Sequence, residues 1–159
     1  ALESGGKTWA YLGCGVDNPT PKKNLDLAEQ IISTGGGLIA EVPPGSTTSP
    51  QNLVSRNRLQ SGSSLGTVIV QSGIPSGTLH TARFTLEQQR TLIVATPPEA
   101  ERSYPSWEAN IVLIEENGIP DVGILKGSKR FNAEMQQKGQ IADKTFSNAD
   151  EFRTILKGW

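Results

Sequence analysis

The chain has 159 residues, a length suited to one domain with its own core. Its 17 glycines and 10 prolines match many tight turns between short elements, and no apolar run reaches the roughly 18 residues that cross a bilayer. A single cysteine, Cys14, excludes an internal disulfide, a single histidine, His80, excludes a multi-histidine metal site, and a net charge of −1 advertises no anionic partner.

"KTWAYLGC" is short and apolar and runs into Gly15 and Asp17, as a strand ending in a turn does. "NLDLAEQIIS" places Leu27, Ala28, Ile31 and Ile32 on one helical face, and Gly35, Gly36 and Gly37 end that helix. "LIAEV" is a second strand, stopped by Pro43 and Pro44. The loop "GSTTSPQN" leads into a short helix near Leu53 to Gln60. "GTVIVQS" is a continuous apolar strand of the kind buried on both faces, and a central place in the sheet is expected for it. "LHTARFTLEQQ" is a helix and "TLIVATP" another buried strand. Strands alternating with helices imply parallel pairing and right-handed crossovers, hence an open, doubly wound α/β sheet with ligands at the carboxyl ends of its strands.

Beyond residue 97, "SWEANIVLIEENG" is read as a helix with Trp107, Ile111 and Ile114 at helical spacing. "DVGIL" is a short edge strand and "KRFNAEMQQKG" a helix. "SNADEFRTILKG" closes the chain with Ser147 as N-cap, Asp150 at the third helical position, and Phe152, Ile155 and Leu156 on the buried face.

Charge distribution says more than the total. From Val42 to Phe84 there is no Asp or Glu, while Arg56, Arg58 and Arg83 fall in that stretch. A local basic surface is therefore compatible with a nearly neutral protein.

Three strand-to-helix loops offer sites. "GCGVDNPTPKKN" combines glycines, which allow close approach of backbone to ligand, with Lys22 and Lys23. In "EVPPGSTTSPQNLVSRNR", Arg56 and Arg58 flank Asn57. An arginine fork suits phosphate and stacks on bases, but residues two apart do not share a helix face. One arginine thus meets a ligand while the other braces the loop, or both pair with carboxylates such as Glu41. In "QSGIPSGTLHTA", Gly77 and Thr78 lie at a helix start, where the dipole favours an anion and Arg83 follows one turn in. Thr78 or Ser76 also serves there as a cap. No zinc pattern, nucleophile elbow or P-loop appears. His80 at a helix start is read as a capping or surface residue, and Cys14 as a buried filler.

Three segments, "ALESGGKTWAYLGCGVDNPTPKKN", "LIAEVPPGSTTSPQNLVSRNRLQSGSSLGTVIVQSG" and "SGTLHTARFTLEQQRTLIVATP", closely resemble the DNA-processing protein A (DprA, or Smf) family, in order, over roughly residues 1–97. "FNAEMQQKGQIADKTFSNADEFRTIL" resembles, more loosely, that family's closing Asn-containing helix and terminal helix. The resemblance implies one Rossmann-like domain over 1–159: a three-layer parallel sheet with helices on both faces and a small C-terminal helical extension. It implies single-stranded DNA binding, loading of a RecA-type recombinase in natural transformation, a homodimer, no catalytic role and no cofactor. Carried over by motif, Arg56, Asn57 and Arg58 shape and charge the DNA groove. Gly77, Thr78 and Thr81 form an adjacent anion corner. From the residues themselves, Arg83 one turn in and Lys22 in the first loop are added as DNA contacts. Gln51, Asn52 and Leu53 pack near a base.

Leu53 stands where the family often has an aromatic residue, which removes a stacking platform worth about 1–3 kcal/mol per base. Glu87, on the helix after Ser-Gly-Thr, agrees with the family pattern. The family also has an earlier strand and a glycine-rich loop, so an exposed sheet edge and association with a copy or a neighbouring segment are expected. The start of the chain lacks the regions of a signal peptide, and a cytoplasmic, membrane-free protein is expected. The competing expectation is a small-nucleotide enzyme or sensor resembling the "lonely guy" phosphoribohydrolases. Their Gly-Thr-x-x-Glu spacing is broken here, because Glu87 is nine residues after Thr78.

Overall fold

The computed structural model describes residues 1–115 and 122–158. They gather into two compact units, Ala1–Gln60 and Ser61–Trp159. No helix among the described residues is long and apolar enough to cross a membrane.

The first unit pairs β1 (Trp9–Tyr11) with β2 (Gly37–Ile39) in parallel, Trp9 opposite Gly37 and Tyr11 opposite Ile39. The crossover between them carries α1 (Leu25–Ser33). Asp26 in its first turn suits the positive end of the helix dipole. The helix stops at Thr34, followed by Gly35 at φ 81, a left-handed conformation that glycine adopts without strain. Of the four residues expected on the buried face, only Ala28 and Ile31 are buried; Leu27 is 46% and Ile32 56% exposed. At 3.6 residues per turn the arc from Leu27 to Ile32 is about 140° wide, and packing in this unit covers only its centre. Helix α2 (Pro50–Gly62) is longer than expected. Pro50 occupies a first helical position, where its missing N–H costs nothing, and the Ser49 hydroxyl accepts the Asn52 N–H at 3.1 Å.

The second unit holds β3 (Gly66–Ile69), α3 (Gly77–Glu87), β4 (Thr91–Ala95), α4 (Glu108–Ile114), α5 (Lys129–Lys138), β5 (Lys144–Phe146) and α6 (Ala149–Leu156). The sheet order is β3-β4-β5, all parallel, with Val68 opposite Ile93, Ile69 opposite Val94 and Ala95 opposite Phe146. The expected parallel pairing holds, but the central strand is β4. "GTVIVQS" forms an edge of this sheet, and Val70 just past its end is 64% exposed. The reason is that β4 has a partner on each side, which leaves Leu92, Ile93 and Val94 at 0% exposure, whereas β3 has a described partner on one side only.

Leu92 and Val94 share a core with Leu79 and Ala82 of α3, Ala109 and Leu113 of α4, and Leu125, Phe131 and Ile141. Helix α4 is present as expected, yet its fully buried face is Ala109, Asn110 and Leu113, while Ile111 and Ile114 are half-buried. The end of "SWEANIVLIEENG" lies outside the described residues. "DVGIL" is not a strand: Val122–Leu125 is a 3-10 turn, and Asp121 lies outside the described residues. Leu125 of that turn is buried in the core, so hydrophobic docking rather than strand pairing holds it. The added strand is instead β5. Its entry is fixed by Asp143, whose carboxylate accepts the Leu92 N–H at 2.8 Å, whose own N–H donates to Leu92 O, and which pairs with Lys138 at 2.6 Å.

In α6 the cap is Asn148, not Ser147. Asn148 Oδ1 accepts from the N–H groups of Asp150 and Glu151, and the Glu151 carboxylate reaches back to the Ser147 N–H and to Asn148 Nδ2. That reciprocal bonding places Glu151, not Asp150, at the third position. Phe152 and Ile155 are half-buried and Leu156 is 42% exposed, because the main packing partner of α6 among the described residues is the short β5.

Asn110 ties this unit together. Its Oδ1 accepts the Ser72 N–H at 2.8 Å, and its Nδ2 donates to Val70 O at 3.1 Å and Ala95 O at 2.9 Å. Asn110→Ala strands three polar backbone groups at the ends of β3 and β4. An unpaired buried group costs about 1–3 kcal/mol, so we expect a loss of roughly 3 kcal/mol in urea unfolding. Asn110→Asp should not restore it, since a carboxylate cannot donate to two carbonyls.

Candidate functional site

Both groups of site residues singled out in the sequence lie in loops and helices that follow strands, where parallel α/β sheets place ligands. They belong to different units and are described separately.

In the first unit, α2 carries Gln51, Asn52, Leu53, Arg56, Asn57 and Arg58. Leu53 lies against the turn after β1: a Cβ on Gly13 would sit 2.8 Å from Leu53 Cδ2, so glycine is needed there for the close approach. Arg56 is half-buried and donates to Tyr11 O at the end of β1, to Leu53 O at 3.3 Å and to Asn57 Oδ1 at 3.0 Å. Asn57 is buried. Arg58 forms an ion pair with Glu41, and both side chains remain well exposed, 47% and 39%. Exposed pairs of this kind contribute about 0–1 kcal/mol, so Arg58 is readily exchanged to another anion. Gln51 is exposed, as is Lys22, which lies in a 3-10 turn ahead of α1. In the loop after β1, the Asp17 carboxylate accepts the Gly45 N–H, which holds that loop to the one after β2.

In the second unit, the loop after β3 leads through Ser72 and the cis Ile74–Pro75 bond to α3. Ser72 Oγ and Ser76 Oγ are 2.9 Å apart, and Ser76 Oγ accepts the Thr78 N–H at 3.1 Å. Ser76 is thus the cap. Gly77, the first residue of the helix, is exposed; its φ is not in the left-handed region, and a Cβ there would meet nothing within 4 Å. Neither backbone conformation nor packing among the described residues demands glycine at this point. The position instead leaves open space at the positive end of the α3 dipole. Thr81 lies in the second turn, and its carbonyl accepts the Thr85 hydroxyl at 2.8 Å.

Arg83 turns along α3. Its Nη1 donates to Lys126 O at 2.5 Å, its guanidinium lies 4.5 Å above the Phe84 ring, and its Nε is 3.7 Å from Glu87. Arg83 and the expected Glu87 therefore meet each other. Beside the helix start is a cavity of about 310 Å3 lined in part by Ile74, Leu79, His80, Ile124 and Lys126. Burial, and then the charges of Arg83 and Lys126, lower the His80 pKa from its ordinary value. His80 Nδ1 is buried without a hydrogen-bond partner. No group of side chains suited to hold a metal ion occurs among the described residues.

Ile124, Lys126 and Asn110 were not singled out as site residues in the sequence. Only Asn110 left a trace, as an amide on an otherwise apolar helix face; the cavity wall has no local signal.

Parallel strands joined through helices, with an open helix start beyond a strand's carboxyl end, define a Rossmann-like α/β protein. The chain belongs to the DNA recombination-mediator protein A family, which residues 1–118 match. It is 36% identical over 119 residues to protein Smf of Escherichia coli K12, covering 75% of this chain and 31% of that protein. To DNA processing protein DprA of Streptococcus pneumoniae R6 it is 32% identical over 90 residues, 57% of this chain and 32% of the relative. The chain thus spans about a third of the length of these curated relatives. In structure it is similar to S. pneumoniae DprA (TM-score 0.61, 21% identity, 97% of this chain and 44% of that one). It is similar also to a Helicobacter pylori DNA processing protein A solved for its single-stranded DNA binding mode (TM-score 0.63, 20% identity, 95% and 57%). These likenesses show the Rossmann-like fold.

The lowered His80 pKa has a pH consequence. An unfolded histidine titrates near 6.5. Above that pH both states are neutral and the group contributes nothing to pH dependence. Below it the unfolded chain takes up the proton first, so stability falls as pH drops through about 6.5. We expect a lower Tm at pH 5.5 than at pH 7.5, with a smaller drop in His80→Gln, measured by thermal unfolding of both proteins across that range.

Proposed function

We propose that this chain binds single-stranded DNA as part of DNA processing and recombination. The observation that carries the reading is the start of α3: a capped helix N-terminus with an exposed glycine that the described fold does not require. It suits a phosphate brought close to backbone. Arg58 supports the reading as an exposed cation whose ion pair with Glu41 is itself exposed and so weakly held. Arg56, Asn57, Thr78, Thr81, Arg83, Lys22 and the Gln51–Asn52–Leu53 turn complete the proposed contact set. The likeness to H. pylori DNA processing protein A and the family description point the same way.

A RecA-type recombinase as partner belongs to this proposal, carried by the family resemblance and in keeping with a family described as recombination mediators. Self-association is part of the same proposal. Trp9 on β1 and Leu25, Leu27 and Ile32 on α1 are each at least 41% exposed, and apolar surface of this kind marks association.

Phosphate contacts release counterions, with a slope of about 0.7 per contact on a single strand. Arg58→Ala should weaken oligo-dT binding at low salt and flatten the salt dependence by about that amount. The loss should be the same for mixed sequence, because phosphate contacts carry no base information. Arg56→Ala should do the same but also lower stability, since it releases Tyr11 O and Asn57. Thr78→Ala should act less, the backbone being unchanged. Fluorescence anisotropy at several salt concentrations measures this, with circular dichroism to confirm folding. Unchanged affinity and slope in folded Arg58→Ala and in the double variant with Arg56→Ala remove both arginines from the DNA site.

A further inference from the structure

The cavity beside α3 is not explained by phosphate contacts alone. Its walls are largely aliphatic: Ile74 from the loop after β3, Leu79 from α3 and Ile124 from the 3-10 turn at Val122–Leu125. A phosphate has no use for such walls, because desolvating a charge against hydrocarbon is unfavourable. A nucleobase does, since its faces are flat and weakly hydrated. The volume, about 310 Å3, is at the small end of ligand cavities, which run about 300–1,000 Å3. It suits one nucleotide unit and not a longer piece of strand. The polar side chains that line it are few. Gly77 opens space at the helix start, exposed Lys126 adds a positive charge, and His80 carries a buried nitrogen with no hydrogen-bond partner. The Lys126 backbone is fixed in place by the Arg83 guanidinium, which fits Arg83 as the brace of this wall. Ile124 and Lys126 lie beyond residues 1–118, the part that matches the family model.

We propose that the cavity receives the base of a nucleoside-monophosphate unit whose phosphate sits at the first turn of α3. Ile74, Leu79 and Ile124 enclose the base, and Lys126 faces the phosphate. This rests on the nucleic-acid reading above for its preferred source, a nucleotide within a strand; a free mononucleotide has the same chemistry. Because the walls are aliphatic, the cavity senses that a base is present far more than which base it is.

The test titrates oligo-dT, an abasic oligomer of equal length, and dTMP into the unmodified protein, Ile124→Ala and Lys126→Gln. The unmodified protein should prefer dT over abasic strand. Ile124→Ala should reduce that preference about fourfold, the worth of roughly one buried methylene. Lys126→Gln should leave the preference alone and flatten the salt slope for both strands by about 0.7. Lys126 is exposed, so that variant keeps the test readable if Ile124→Ala folds poorly. Binding of dTMP that weakens in Ile124→Ala, with no binding of either strand, supports the cavity and sinks the DNA reading. Strand binding in which Ile124→Ala changes neither the dT-to-abasic ratio nor dTMP affinity, or in which Lys126→Gln leaves the slope unchanged, overturns the cavity assignment and leaves the DNA reading standing. No binding of strand or dTMP overturns both.

Discussion

The geometry at the start of α3 depends on one buried amide. Asn110 reaches from α4 to Ser72, 38 residues earlier, and to the last carbonyls at the ends of β3 and β4. Two strands, one helix and one loop are held by a side chain that uses its acceptor once and its donor group twice. The adjacent Ala109 N–H also donates to Ser72 O. Gly73 allows this approach, because a Cβ there would lie 2.7 Å from Pro105 O. Ser72 then meets Ser76, and Ser76 takes the Thr78 N–H. Position is thus handed from the core to the corner through hydrogen bonds that buried groups cannot leave unmade without penalty. A loop held only by its own residues would lack this rigidity.

The arginines of the acid-poor stretch divide by burial. Arg56 is half-buried and spends its fork on Tyr11 O, Leu53 O and Asn57, so it acts first on the end of β1. Arg83 is mostly covered and holds Lys126 O from above the Phe84 ring. Arg58 is the exposed one of the three, paired at the surface with Glu41. Spacing implied that the first and third of the Arg-Asn-Arg run face different ways but not which one braces; Arg56 braces and Arg58 faces solvent.

Much of the fold was legible because its signals are local. Short apolar runs ended by glycine or proline marked β1 to β4, and the spacing of apolar residues marked α1, α4 and α6. The failures involve distance. That β4 rather than β3 is central follows from where "KTF" pairs, which no strand signal announced. Adjacent Ser147 and Asn148 are both good caps, and the choice between them came from the reach of Glu151. The "DVGIL" stretch has strand composition but docks Leu125 into the core as a 3-10 turn. For the site, Ser76, Gly77 and Thr78 were visible as a helix start. Ile124 and Lys126 were not, since their proximity to α3 exists only after folding.

A net charge of −1 looks like poor equipment for meeting a polyanion, but the relevant scale is short. At physiological ionic strength the Debye length is about 8 Å, so acids remote in space from a phosphate are screened. What counts is the sign of the nearest groups, and Val42–Phe84 contributes none that are acidic. Glu41, just outside that stretch, is the exception, and it already neutralises Arg58. A phosphate arriving at Arg58 therefore replaces one anion by another instead of adding charge to an isolated cation. Exchange of this kind gives little long-range steering and little gain from charge alone. Under the proposed reading, the helix dipole of α3, which no carboxylate in its first turn opposes, and the aliphatic cavity beside it supply what net charge does not. Recognition by this chain would then rest on close contact, formed after encounter and not before it.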